Sequence, residues 1–293
     1  MELRKAIMLL PHLMKSLIFF ATLTTFTFTF TPAAADTSTF LYGGCARIKY
    51  SPNSPYESNL DALLTSLVNS AAYTSFNKFT LGSPPNDVVY GLYQCRPDLP
   101  NPGRDCFACV QRALSQLGVL CVDSCGGAVQ LEGCFVKYDN ATFLGVEDKA
   151  VLLRKCGPPS QGDELARRDE VLSYFSASGT TPELFRVGQA GNVKGVAQCV
   201  GDLSVGQCQD CLGEAIGRLK TDCGLARWGD MFLGKCYVRY STAGDHSFGS
   251  NGSSQDDEIE KTLAILIGLI AGVALIIIFL AFLRKLCEGK DGK

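Results

Sequence analysis

The cysteines of this 293-residue chain occur twice with almost the same spacing. From Cys109 the chain runs 12 residues to Cys121 and 25 residues to Cys134, and from Cys211 two further cysteines follow at the same intervals. A Cys-x-x-Cys pair opens this spacing in both places. A spacing that recurs to the residue indicates an internal repeat. The chain therefore contains two tandem copies of one small cysteine-rich module.

Twelve of the 14 cysteines have a counterpart in the other copy. In the first copy they are Cys45, Cys95, Cys106, Cys109, Cys121 and Cys134, and in the second they are Cys156, Cys199, Cys208, Cys211, Cys223 and Cys236. A glutamine precedes the second cysteine of each copy, as Gln94 and Gln198. Cys125 has no counterpart, and Cys287 lies far downstream. Cys125 is therefore a candidate for an unpaired thiol, unless it joins two chains.

The first 35 residues have the features of a secretory signal peptide. Arg4, Lys5 and Lys15 lie near the start, an apolar and threonine-rich run follows, and small residues at 33–35 mark a cleavage site. A membrane anchor is the alternative for such a run. The small residues that follow it at once favour cleavage. A secreted domain meets an environment in which thiols oxidise to disulfides.

A second apolar segment predicts a membrane-spanning helix. Residues 263–283 are 21 positions without a charge, which at ~1.5 Å per residue is enough to cross a ~30 Å hydrocarbon core. Acidic residues precede this segment and basic residues follow it, so the positive-inside rule places the modules outside the cell. The expected tail at 284–293 is too short for a catalytic domain. Any signal inside the cell would then pass through a partner.

The cysteines are predicted to form disulfides rather than a metal or redox centre. Beyond the signal peptide the chain has one histidine, His246, so neither module can offer a histidine to zinc or to a catalytic thiol. A thiol oxidoreductase that uses Cys106 and Cys109 is the alternative, but that chemistry needs a βαβ context. A net charge of −2 gives no support to nucleic-acid binding. We therefore predict no catalytic residue, no cofactor and no metal.

Apolar periodicity predicts an α+β module in which two helices pack on an antiparallel sheet. The first helix of each copy is indicated by Leu60, Leu63, Leu64, Leu67 and Ala71, with Ser58 or Asn59 as the cap, and by Leu165, Val171, Leu172 and Phe175. The second is indicated by Cys109, Val110, Ala113, Leu114 and Leu117, and by Cys211, Leu212, Ala215, Ile216 and Leu219. Strands are predicted at 88–94, 129–138 and 231–240.

These features divide the chain into six parts. They are a signal peptide at 1–35, the first module at 36–155, the second module at 156–241, a flexible tether at 242–261, a transmembrane helix at 262–283 and a cytosolic tail at 284–293. Because almost no spacer separates the two modules, we expect them to pack against each other.

The spacing Cys-x8-Cys-x2-Cys, read at Cys199, Cys208 and Cys211, resembles the ginkbilobin-homologous cysteine-rich extracellular domain of plants. Two such domains with a signal peptide, one membrane span, a minimal tail and no kinase resemble the plasmodesmata-located protein family. The resemblance implies a pairing of the cysteines. The implied disulfides are Cys45–Cys121, Cys95–Cys106, Cys109–Cys134, Cys156–Cys223, Cys199–Cys208 and Cys211–Cys236.

Ginkbilobin itself binds mannose through an asparagine, an arginine and a glutamate. In this chain those places hold Ala46, Ala128 and Asp139 in the first module, and Gly157, Asp230 and Ser241 in the second. The mannose site is therefore not preserved. An exposed aromatic residue such as Trp228 could still stack on another sugar, although packing in the core or between the modules is the more common use of such a residue.

The resemblance implies a non-enzymatic protein of the plasma membrane at plasmodesmata. Such a protein would regulate cell-to-cell traffic, in part through callose deposition, and would be a docking site for viral movement proteins. Its other partners would be membrane proteins or receptor kinases. The alternative is a co-receptor that senses a cell-wall carbohydrate or another ligand and acts through a kinase partner.

Short motifs predict modifications and contacts of the membrane segment. Asn140 and Asn251 begin glycosylation sequons, so the chain is expected to be a glycoprotein. Ala264, Gly268 and Gly272 lie four residues apart, a spacing that lets two membrane helices approach closely and form a homo-oligomer. Glycine is also common in membrane helices that do not associate. Cys287, beside the membrane, is either a palmitoylation site or a free cytosolic thiol.

Overall fold

The computed structural model describes residues 37–83, 87–160, 162–177 and 183–243, together with Gly268, Gly272 and Leu275. The first module comprises β1 (Phe40–Cys45), α1 (Pro55–Ala71), β2 (Phe76–Leu81), β3 (Val89–Cys95), α2 (Pro102–Leu120), β4 (Gly126–Leu131) and β5 (Cys134–Asp139). The second comprises β6 (Val151–Cys156), α3 (Glu164–Ser176), β7 (Phe185–Ala190), β8 (Val193–Cys199), α4 (Val205–Asp222), β9 (Trp228–Leu233) and β10 (Cys236–Thr242).

Each module has one five-stranded antiparallel sheet, and the two sheets have the same strand order. The orders are β1-β4-β5-β3-β2 and β6-β9-β10-β8-β7. With two helices beside each sheet, the α+β prediction is confirmed. The second sheet begins at Val151, five residues before the expected module boundary at Cys156.

Two of the predicted strands are hairpins. The runs predicted at 129–138 and 231–240 are each split by a tight turn, at Gly133 and at Gly234. The core residues are Val129 and Leu131 before the first turn and Val136 and Tyr138 after it, so the alternation changes phase at the turn. Because apolar residues flank the two-residue turn on both sides, the two strands of each hairpin resemble one continuous apolar run.

The cap predicted for α1 is wrong. Ser54 caps this helix, and its side chain accepts a hydrogen bond from the Glu57 backbone N–H at 3.3 Å. Pro55 at the first helical position begins the helix one turn before Ser58, because proline suits a position whose N–H has no partner within the helix. The predicted apolar stripe is present, since Leu60, Leu63 and Leu67 are buried.

The helices cover one face of each sheet, and the other faces of the two sheets meet. On the helix side, each module has its own core. On the opposite side, Leu92 and Phe135 of the first sheet form a cluster with Val200 of the second module. Tyr42 packs edge to face on Phe232, with ring centroids 5.8 Å apart. The modules therefore pack back to back, as the short connection led us to expect.

The segments expected to direct the chain to a membrane fall largely outside the described residues. Those segments are the signal peptide, the tether, most of the predicted span and the tail, together with Asn251, Ala264 and Cys287. Gly268, Gly272 and Leu275 are helical. In the part of the chain that the structure describes, no helix combines the length and the apolar composition that crossing a membrane requires.

Candidate functional site

Six disulfides, three in each module, tie strands to the second helix of the module or to its C-terminal cap. They join Cys45 to Cys121, Cys95 to Cys106, Cys109 to Cys134, Cys156 to Cys223, Cys199 to Cys208 and Cys211 to Cys236. These are the pairs that the family resemblance implied. Cys106 and Cys109 bond to different partners, so their Cys-x-x-Cys motif does not form the internal disulfide of a thioredoxin-like centre.

Cys125 is a free and buried thiol. Burial raises its pKa, and the carboxylate of Asp139 raises it further. Because the thiolate is the reactive form of cysteine, the side chain is a poor nucleophile at neutral pH.

The backbone carbonyl of Cys125 accepts hydrogen bonds from the Tyr56 hydroxyl at 2.6 Å and from the Asn140 N–H at 3.0 Å. Asn140 itself is exposed, which its predicted glycosylation requires.

A buried carboxylate joins charges from both modules. Glu132 accepts a hydrogen bond from Arg96 of its own module at 3.1 Å and another from Arg239 of the second module. Arg239 also donates to Asp230, at 2.8 Å. Burial alone would lower the pKa of Arg239, but Asp230 and Glu132 more than offset it and the pKa is raised. Arg239 therefore stays charged, and the network holds the modules in one relative orientation.

A second buried ion pair anchors the segment between the modules. Lys235 pairs with Asp202, and both side chains are almost fully buried. The same carboxylate accepts a hydrogen bond from the Gly145 N–H at 2.8 Å. The Lys235 ammonium lies 5.0 Å from the ring centroid of Phe143. Burial lowers the pKa of Lys235, and its hydrogen bond to Asp202 opposes that shift.

The repeated glutamines bridge the two modules. The Gln198 side chain donates to the carbonyl of Cys95 at 3.1 Å, and the Gln94 side chain accepts from the Gly201 N–H at 2.9 Å. Both glutamines are buried. The sequence showed the repeated Gln-Cys pair but not its role. The recurrence of a polar residue directly before the second cysteine of each copy was the sequence feature that could have indicated this role.

The first module has an open depression on the face of its sheet. It is a cavity of about 320 Å³, and small residues, Gly44, Ala46, Gly126 and Ala128, form much of its lining, to which the second module adds Leu152 and Gly234. Lys137, Asp139 and Asp148 stand at its rim, and Tyr42 and Phe135 supply aromatic surface. The structure thus brings together Ala46, Ala128 and Asp139, the three places that correspond to the mannose contacts of ginkbilobin. The depression can accept a small polar ligand, although with different chemistry.

The second module fills the equivalent place with its own side chains. Strand register matches Gly126 to Trp228, Ala46 to Gly157 and Ala128 to Asp230. The Trp228 ring packs so closely on Gly157 that a Cβ there would lie 2.3 Å from the indole nitrogen. Asp230 is buried against Arg239. Trp228 is therefore a packing residue, and the depression lies on the sheet of the first module with no equivalent among the described residues of the second sheet.

The described residues hold no group of three or more histidine, cysteine, aspartate or glutamate side chains arranged to bind a metal ion.

The sequence matches a family model described as salt stress response/antifungal over residues 44–141 and 163–243. Plasmodesmata-located protein 6 of Arabidopsis thaliana is 58% identical over 275 residues, which cover 90% of this chain and 94% of that protein. Plasmodesmata-located protein 7 of the same plant is 56% identical over 261 residues, or 87% of this chain and 86% of that protein.

Two crystal structures of Arabidopsis thaliana proteins have the same architecture. The tandem DUF26 ectodomain of the cysteine-rich receptor-like protein PDLP5 is 47% identical and matches with a TM-score of 0.66, covering 70% of this chain and all of that one. The corresponding ectodomain of PDLP8 is 42% identical, with a TM-score of 0.67, and covers 71% of this chain and all of that one. In these relatives the tandem ectodomain folds as a separate unit.

Proposed function

Because this chain belongs to the family of plasmodesmata-located proteins, we propose that it is a non-enzymatic, single-pass membrane protein of plasmodesmata that regulates traffic between neighbouring cells. Its two modules stand outside the cell, and its effect on transport is linked to callose. Viral movement proteins use it as a docking site. The observation that carries the proposal is the family membership over nearly the whole chain.

The interior of the ectodomain supports a role in binding rather than in catalysis. Its buried charges, among them Glu132, Arg239 and Lys235, are used in ion pairs at the junction of the modules. Such a junction presents both modules in a fixed orientation, which suits a protein that recognises partners through its outer surface. The transport effect then depends on what the ectodomain binds.

A fluorescent fusion of the full-length chain tests the location. We expect puncta in the cell walls that coincide with callose staining, and a changed rate of spread of a free fluorescent protein between cells when expression of the chain is silenced. A fusion that lacks residues 242–293 is the matched control and should lose the puncta. Even staining of the whole plasma membrane, with cell-to-cell spread unchanged on silencing, would contradict the proposal.

The depression in the first module favours a second candidate function, a co-receptor that senses a cell-wall carbohydrate. We expect the soluble ectodomain, residues 36–243, to bind an oligosaccharide on a glycan array. Ala46→Gly with Gly126→Trp and Asp139→Ser copies the filled site of the second module, where Ser241 is the strand partner of Trp228, and should abolish that binding, whereas Lys78→Ala on β2 should not. An array without any signal for the folded wild-type ectodomain would remove this candidate and leave the first intact.

A further inference from the structure

The two edge strands β1 and β6 occupy equivalent places in the two sheets but differ in chemistry. β6 carries Arg154 and Lys155, whereas β1 reads Phe-Leu-Tyr-Gly-Gly-Cys and has no charge. Exposed edges commonly carry charged residues that prevent another strand from pairing with them. One side of β1 pairs with β4, and within the described residues its other side pairs with no strand. The first module thus leaves an edge without this protection.

The same difference opens a groove between β1 and α2. In the second module Arg154 of β6 forms an ion pair with Asp222 of α4, at 3.0 Å. The equivalent residues of the first module are Gly43 and Leu120. The groove there, about 330 Å³, is lined by Phe40, Arg112, Ser115, Gln116, Val119 and Leu120. Its apolar side chains are well exposed, Val119 at 78%, Leu120 at 50% and Phe40 at 45%.

This exposed apolar surface is not a requirement of the fold. The second module builds the same helix and strand with Thr221 and Asp222 where the first has Val119 and Leu120. Exposure of apolar surface that the fold does not need indicates a binding site.

The charge of Arg112 indicates which kind of partner the groove binds. Arg112 is the one charged residue among those that line the groove, and in the described part of the chain its side chain makes no hydrogen bond or ion pair. The equivalent residue in the second module is Glu214, which pairs with Arg218 at 2.6 Å. A partner with a carboxylate would therefore meet an unpaired cation. A second copy of β1 has no carboxylate and would leave Arg112 without a partner.

We propose that the edge of β1 and the adjoining groove bind an extended peptide that presents apolar and acidic side chains on one face. The peptide backbone would pair with the open side of β1, which is a common mode of peptide recognition. Side chains two residues apart lie on the same face of a strand. An apolar side chain would then enter between Phe40 and Leu120, while the acidic neighbour reaches Arg112.

Binding of a synthetic peptide to the soluble ectodomain, residues 36–243, tests this proposal. The probe is a fluorescent nine-residue peptide with threonine at odd positions and valine and glutamate alternating at even positions. We expect it to bind with an affinity at least tenfold higher than a peptide with lysine in place of glutamate. A peptide with proline at its centre should not bind, because proline cannot pair as a strand.

Variants that copy the second module locate the site. Arg112→Glu should weaken binding at least tenfold, and Gly43→Arg with Leu120→Asp should abolish it while preserving the fold, since β6 and α4 already accommodate those residues. Arg104→Glu, on the same helix outside the groove, is the charge-matched control and should change binding less than twofold. Thermal unfolding and disulfide mass mapping report whether each variant is folded.

Three results would overturn the proposal. They are no binding of the glutamate peptide to the folded wild-type ectodomain, equal losses for Arg112→Glu and Arg104→Glu, and a dimer by light scattering that Gly43→Arg with Leu120→Asp dissociates. The last result would assign the edge to a second copy. The measurement uses the isolated ectodomain, so its outcome does not depend on location at plasmodesmata.

Discussion

Replacing Asp202 with alanine should lower the free energy of unfolding of the ectodomain by about 3 to 5 kcal/mol, the usual cost of removing one partner of a buried ion pair. The ammonium of Lys235 would remain buried without its carboxylate, and the Gly145 N–H would lose its acceptor. Both lost interactions lie where the segment that connects the modules, at Gly145, packs on the second module. Chemical denaturation of the soluble ectodomain, residues 36–243, followed by tryptophan fluorescence, measures it.

The double variant Asp202→Leu with Lys235→Met is the control that separates charge from packing. Replacing both members of a buried pair by apolar residues of similar size is often neutral, so we expect most of the lost stability to return. If Asp202→Ala costs less than about 1 kcal/mol, or if the double variant is no better than the single one, the ion pair is not what stabilises this junction.

Removing the Cys45–Cys121 disulfide should cost about 4.5 kcal/mol, against about 2.6 kcal/mol for Cys199–Cys208, on the chain-entropy model. The reason is the size of the loop that each bond closes in the unfolded chain. The first bond joins residues 76 positions apart and the second joins residues 9 positions apart. Alanine at both positions of each pair avoids leaving a free thiol or a buried hydroxyl.

Denaturation midpoints of the two alanine pairs, measured under non-reducing conditions, test this order. Cys156–Cys223, with a separation of 67, is the matched control in the second module and should resemble Cys45–Cys121. Equal losses for the long and the short loops would mean that native-state contacts, rather than entropy of the unfolded chain, determine what these bonds contribute.

The candidate sites could be predicted from the sequence only in part. Ala46, Ala128 and Asp139 were recognised as equivalent positions, but an alignment of positions does not show that the surrounding glycines leave a depression there. Trp228 was expected to pack rather than to bind, and the structure explains why, since Gly157 leaves room for its ring. The groove beside β1 was not foreseen, because Phe40 and Leu120 are separated by 80 positions in the chain.

The sequence alone determined the duplicated cysteine framework, the class of fold and the apolar faces of the helices. Those properties depend on spacing and on local periodicity, which can be read along the chain. Only the tertiary structure decided which sheet faces meet, that Glu132 joins Arg96 to Arg239, and which module keeps an open surface. These outcomes depend on packing between residues about a hundred positions apart, where burial and the loss of solvent from charged groups determine the energy, and no local pattern contains that information.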